Sequence, residues 1–249
     1  HDDNPTHRIP VLTILVILVN VAVFVVQSTR PEPERIPVAE FSETQSGMIC
    51  RNGVVPDRLI DGKIDQDDLT YRICALENTE RARATTLVTH QFVHGDWLHL
   101  VGNLIFLWVF GNNVEDRLGR LRFLPFFLLC GIIAALGQVL MDPGSGSALI
   151  GASGAISGVL GAYLLLFPRA RVLTLVTIVP LRLPAWVVLG AYMAFQFLFI
   201  SNQQGGGDGV AYGAHIVGFI AGALLIRPFL IGRPPPRRRS RSWGQPDMG

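Results

Sequence analysis

The sequence predicts an all-α, polytopic membrane protein with six transmembrane helices, and three observations carry that prediction. Of its 249 residues 49% are hydrophobic and only 16% charged, where an ordinary soluble domain has roughly 25% charged residues. Mean hydropathy is correspondingly positive, at +0.39. The apolar residues gather into runs of bilayer length, separated by polar or glycine-rich breaks. Among the short breaks basic residues fall in alternate ones, as they do when helices cross a membrane back and forth. The formal net charge is only +2, and no nucleic-acid partner is expected.

Residues 1–8 form a short N-terminal segment, 9–230 the membrane domain and 231–249 a basic tail. The first span is the uncharged run Ile9 to Gln27, which lacks a small-residue cleavage site and reads as an anchor. Residues 28–89 are an enlarged polar loop holding most of the acidic side chains, with short helices expected at Pro56 to Ile60 and Gln66 to Cys74. The second span runs from Phe92 to Phe110, the third from Leu121 to Met141 and the fourth from Leu149 to Phe167. A proline-broken apolar approach from Val172 to Pro184 leads into the fifth, Leu183 to Ile200. Gln203 to Gly209 is a flexible loop, and Tyr212 to Leu230 is the sixth span. The tail, three prolines followed by Arg237-Arg238-Arg239, has the composition of a disordered segment that attracts anionic lipid.

Six spans put Arg8, the Arg117/Arg120/Arg122 turn, Arg169/Arg171/Arg182 and the tail on one side. The positive-inside rule makes that side cytoplasmic, with both termini there and the 28–89 loop outside. The expected location is a bacterial inner membrane. Cys50 and Cys74 both fall in the outer loop, where an oxidising compartment permits a disulfide between them. Such a bridge would restrict the unfolded chain by roughly 3 kcal/mol. Cys130, inside the third span, is a small buried apolar residue in this reading.

Polar residues within spans are costly and mark function by default. The second, fourth and sixth spans enter from the same, outer, side. Near their outer ends lie His94, His99 and Asn103, then Ser153, then His215. Gly154, Gly158 and Gly161 make a small-residue stripe on the fourth span, and Gly218 and Gly222 another on the sixth. Such stripes let helices approach closely, which would bring His215 to Ser153 as general-base activation of a serine requires. Asn103 lies one helical turn from His99, on the same face, where its amide can donate to a developing oxyanion. The plainer reading of a serine among glycines, as helix packing alone, loses ground to the histidine at the same depth.

His90, His94 and His99 also invite a zinc reading. There is no H-E-x-x-H pattern and no carboxylate at that depth, so neither metal nor other cofactor is expected. Asp96 reads as a solvated residue at the membrane edge. Gln138, Gln196 and Asn202 either line a water-filled cavity or pack in the bundle. A proton-relay transporter is disfavoured by the lack of intramembrane carboxylates and of an inverted repeat.

Together these residues resemble the bacterial rhomboid family of intramembrane serine proteases. The resemblance rests on the G-x-S-G of Gly151 to Gly154, the A-H-x-x-G of Ala214 to Gly218, the H-x-x-x-x-H-x-x-x-N of His94 to Asn103, and Glu115-Asp116-Arg117 after the second span. It implies a six-helix rhomboid-like bundle over residues 9–230 and a serine endopeptidase that cuts single-pass membrane proteins in or near the bilayer. Ser153 would be the nucleophile and His215 the base. His99, Asn103 and the Ser153 N–H would form the oxyanion hole, with Gly151 freeing the backbone to turn. Gly154 and Gly218 would pack the site, and His94 would be structural, hydrogen-bonding the outer loop. Phe195, Phe197 and Phe199 would edge a lateral substrate entrance. The sequence departs from the family at Ser157, where some members have an aromatic residue that stacks on the histidine, and it lacks the Trp-Arg pair of their first outer loop. A non-catalytic rhomboid-like protein that binds membrane clients is the alternative, disfavoured because Ser153 and His215 are both present.

Overall fold

A computed structural model describes residues 2–4, 6, 8–31, 45–60, 80–176, 179–200 and 210–233. In chain order the elements are α1 (Val11–Ser28), α2 (Gln45–Asn52), α3 (Pro56–Ile60), α4 (Glu80–Thr89), α5 (Trp97–Phe106), α6 (Asn112–Leu118), α7 (Arg120–Met141), α8 (Ser153–Leu166), β1 (Arg171–Val176), β2 (Val179–Pro184), α9 (Ala185–Phe199) and α10 (Tyr212–Leu230). A π-helical turn, Leu107–Gly111, joins α5 to α6 without a break. Among the described residues four helices are long and apolar enough to cross a membrane: α1, the continuous run Trp97–Leu118, α7 and α10. Two shorter apolar helices, α8 and α9, complete the six.

The bundle is built around α8. Every residue of it from Gly154 to Tyr163 is buried, between α7 and α10, because small residues remove the side chains that would hold the axes apart. The outer surfaces of α1 and α9 are apolar and exposed, as lipid-facing surfaces are. Only Ala185, Leu189 and Gln196 of α9 are buried.

Loop segments expected on one side of the membrane meet one another. At one end Val54 and Leu149 exchange backbone hydrogen bonds (3.0 and 2.8 Å), and Gly151 N–H donates to the His90 carbonyl (2.8 Å). At the other end Arg122 donates to the carbonyls of Phe229 (2.7 Å) and Ile231 (2.8 Å). There, too, Arg233 donates to the Leu118 carbonyl. The N-terminal segment docks at this second end. Asp2, buried, accepts from Asn113 (2.9 Å) and from the Tyr163 hydroxyl, and burial raises its carboxyl pKa above the ordinary value.

Glu115 holds α1 in place. Its buried carboxylate accepts from the backbone N–H of Leu12 (3.0 Å) and Thr13 (2.7 Å) and from the Thr13 hydroxyl (2.8 Å). Those N–H groups lie in the first turn of α1 and have no intrahelical acceptor. Substituting Glu115→Ala orphans them, and we expect about 3 kcal/mol less stability. That would appear as a lower thermal midpoint in detergent micelles, with Glu115→Gln losing less.

Several boundaries differ from expectation, each for a physical reason. The second span continues past Phe110 to Leu118, because Asn113 and Glu115 are satisfied by the N-terminal segment and α1; Gly119, at φ +75°, ends it. The fourth helix begins at Ser153, not Leu149. Its 14 residues span about 21 Å, short of a hydrocarbon core of about 30 Å, and non-helical backbone before Ser153 makes up the difference. The proline-broken approach to the fifth span is an antiparallel hairpin pairing Arg171 with Pro184 through Val176 with Val179. Within residues 28–89 the structure has the expected helix at Pro56–Ile60 and two not anticipated, α2 and α4; residues 66–74 lie outside the described residues. Cys50 is disulfide-bonded, whereas Cys74, its expected partner, lies outside them. Cys130 is free and buried, packed where a Cβ at Gly158 would stand.

Candidate active site

Ser153 and His215 face each other. His215 Nε2 lies 2.8 Å from Ser153 Oγ, and its Nδ1 lies 2.8 Å from Gln196 Oε1. An amide oxygen only accepts, so Nδ1 carries the proton and Nε2 is left to accept from the serine hydroxyl. Both residues are half-buried, at the floor of a cavity of about 600 Å³. Its wall includes His99 and Gln138, and its rim Asp96, Asp142 and Ser145. That polar rim gives water a path to the serine.

Glycine sets the distance between the two helices. A Cβ at Gly218 would stand 2.2 Å from the Gly154 carbonyl oxygen, and one at Gly222 would stand 1.8 Å from that of Gly158. No side chain other than hydrogen fits, so α8 and α10 touch backbone to backbone. Gln138 on α7 fixes the start of α10, accepting from the Ala214 N–H (3.1 Å). That N–H lies in the first turn, where helix donors lack partners; Gln138 therefore both lines the cavity and caps the helix that carries His215.

Two of the expected oxyanion groups, His99 and Asn103, meet at Gly151. Gly151 has φ +104°, a conformation reserved in practice for glycine, and a Cβ there would stand 2.5 Å from His99 Nε2 and 3.7 Å from Asn103 Nδ2. The kink at Gly151 lets α8 start at Ser153, whose own N–H heads the helix with no intrahelical acceptor. Asn103 Nδ2 donates to the His99 carbonyl (3.0 Å), leaving its second N–H for another acceptor. Asp96 is the N-cap of α5, accepting from His99 N–H (2.8 Å). An aspartate just before an apolar run is a sequence signal for that role.

The other histidines differ. His90 donates through Nδ1 to the Thr86 carbonyl (2.9 Å), and burial pushes its pKa down to about 4, so it is neutral at pH 7. His94 is fully buried, and neither ring nitrogen has a hydrogen-bond partner among the described residues. The expected side-chain bond from His94 to the outer loop is thus not among them. Its ring meets His99 edge-on, with centroids 5.0 Å apart, and its backbone carbonyl accepts from Gln27 Nε2 (2.6 Å), tying this turn to α1.

The family profile described as Rhomboid domain matches residues 81–231. The chain belongs to the rhomboid family. The matched stretch holds five of the six apolar helices; α1 precedes it. Relatives include the yeast Saccharomyces cerevisiae Rhomboid protein 1, mitochondrial, 32% identical over 56% of this chain and 40% of that protein. RHOMBOID-like protein 5 of Arabidopsis thaliana is 30% identical over 61% of this chain and 47% of its own length. Rhomboid protease GlpG of Yersinia pestis is 29% identical over 55% and 45%. The chain thus spans half or less of the length of these rhomboid relatives.

At Ser157 the sequence departs from some members of the family, and in this rhomboid a ring reaches His215 from another helix. Where Ser157 puts no aromatic ring one turn after Ser153, Tyr192 of α9 brings one to His215. Its ring lies 6.5 Å from that of His215 at 34°, and its hydroxyl lies 2.7 Å from Ser157 Oγ on α8. Tyr192 and Gln196 are four apart on one face of an apolar helix, a spacing visible in the sequence; what they touch is not.

Proposed function

We propose that this rhomboid is an intramembrane serine endopeptidase that cuts transmembrane or juxtamembrane segments of single-pass membrane proteins. The observation that carries the reading is the 2.8 Å contact between Ser153 Oγ and His215 Nε2 inside a polar cavity. Ser153 Oγ attacks the scissile carbonyl as His215 Nε2 takes its proton, and the same nitrogen returns that proton to the leaving amine. Asn103 Nδ2–H, His99 and the Ser153 N–H receive the oxyanion; Gly151 keeps that space open. Water admitted through the cavity then hydrolyses the acyl-enzyme. Gly154 and Gly218 hold the two helices at reacting distance, and His94 packs behind His99.

The arginines gathered at the end opposite the cavity support cytoplasmic termini and a catalytic cavity on the outer side of a bacterial inner membrane. Phe195, Phe197 and Phe199 lie on α9, toward a lateral route for substrate; the rings of Phe195 and Phe197 are exposed. The Cys50–Cys74 bridge would brace the outer loop above the cavity.

A fluorophosphonate probe tests the chemistry directly. The protein in detergent or proteoliposomes should form one covalent adduct, mapped by peptide mass to Ser153, and should cleave a labelled transmembrane substrate. No adduct at Ser153 and no cleavage in any lipid composition would overturn the proposal in favour of client binding.

A further inference from the structure

We propose that Gln196 is a positioning residue for this catalysis, the third member of a hydrogen-bonded relay from Gln196 through His215 to Ser153. The inference rests on the assignment of Ser153 and His215 as nucleophile and base, and it adds what aligns the base.

A neutral imidazole carries one N–H, and the partner of one ring nitrogen decides which form the other presents. Attack by Ser153 requires a lone pair on Nε2, hence a proton on Nδ1. Gln196 Oε1 is an acceptor 2.8 Å from Nδ1, so it selects the reactive tautomer. It also fixes the ring plane, since two hydrogen bonds on opposite sides of the imidazole leave it no free rotation.

Placement argues for the same role. Gln196 is 4% exposed on a helix whose other buried residues are Ala185 and Leu189. A buried amide among apolar residues is costly unless partnered, and His215 is the partner the structure provides. Tyr192, one turn earlier, reaches Ser157, one turn beyond Ser153. These two polar rungs both come from α9, so docking of α9 completes the base.

When the Ser153 proton moves to Nε2, the Nδ1–H of the imidazolium keeps donating to the Gln196 carbonyl dipole. No proton passes to the amide. The proton on Nε2 goes on to the leaving amine, and the tautomer is restored.

The test compares wild type with Gln196→Leu and Gln196→Glu in proteoliposomes, using a transmembrane peptide substrate and the fluorophosphonate probe. Gln196→Leu should lower kcat and the labelling rate by about tenfold to a hundredfold, with KM within about twofold and the thermal midpoint unchanged. Gln196→Glu returns an acceptor and should restore most of the rate. In ¹⁵N-histidine spectra, wild-type His215 should show the Nδ1–H tautomer. Wild-type kcat in Gln196→Leu would overturn the proposal, as would a loss that Glu fails to restore. A wild-type His215 protonated on Nε2 would overturn it even if Gln196→Leu does not fold. Failure of the wild type to label or cleave would instead sink the protease reading, which the tautomer measurement does not depend on.

Discussion

Ser153→Ala should lower kcat for cleavage of a transmembrane substrate by about 10⁴-fold or more, and His215→Ala should come close to it. Each substitution removes a different part of one act. Without Oγ there is no nucleophile; without Nε2 the hydroxyl has no acceptor 2.8 Å away to take its proton. Parts that act as a unit are non-additive, so the double variant should be no slower than the slower single one. Circular dichroism should be unchanged, since Ser153 and His215 are only half-buried and their loss leaves the glycine contact intact. Multiplicative losses would show that the two residues act independently. Cleavage surviving either substitution would remove the dyad altogether.

Gly222→Ala should cripple the protein from a distance. Its new Cβ would stand 1.8 Å from the Gly158 carbonyl oxygen and 2.4 Å from the carbonyl carbon. Both atoms are backbone, so no rotamer change relieves the clash and α8 and α10 must separate. Overpacking of this kind costs about 3 kcal/mol. The separation propagates to the Ser153–His215 distance, and a misplacement of about 1 Å is worth about a hundredfold in rate. The expected result is a lower thermal midpoint together with a roughly hundredfold lower kcat. Gly190→Ala on α9, where a Cβ meets nothing within 4 Å, is the control and should leave both near wild type. Equal behaviour of the two variants would refute the claim that the α8–α10 contact sets the dyad.

Those two predictions also mark how much was legible beforehand. Ser153, His215, His99 and Asn103 stand out in the sequence because polar side chains in apolar spans demand a reason. The glycine stripes stand out because their spacing of three and four puts small residues on one helical face. Helix boundaries were less visible. Leu149 to Ala152 is as apolar as the helix that follows, and hydropathy reports burial, not backbone conformation. The hairpin at Arg171–Pro184 was hidden for the same reason. Gln196 and Tyr192 were visible as polar residues of α9, but a side chain does not announce its partner across the bundle.

By itself the sequence determined the class, the number and order of apolar helices, and the residues around which a catalytic reading turns. These depend on local chemistry: hydropathy, charge placement and the spacing of small and polar residues. Only the tertiary structure decided that α8 starts at Ser153, that Glu115 holds α1, and that Tyr192 and Gln196 of α9 reach Ser157 and His215. Each of those is a contact between segments distant along the chain, and it exists only once backbones stripped of side chains have come together.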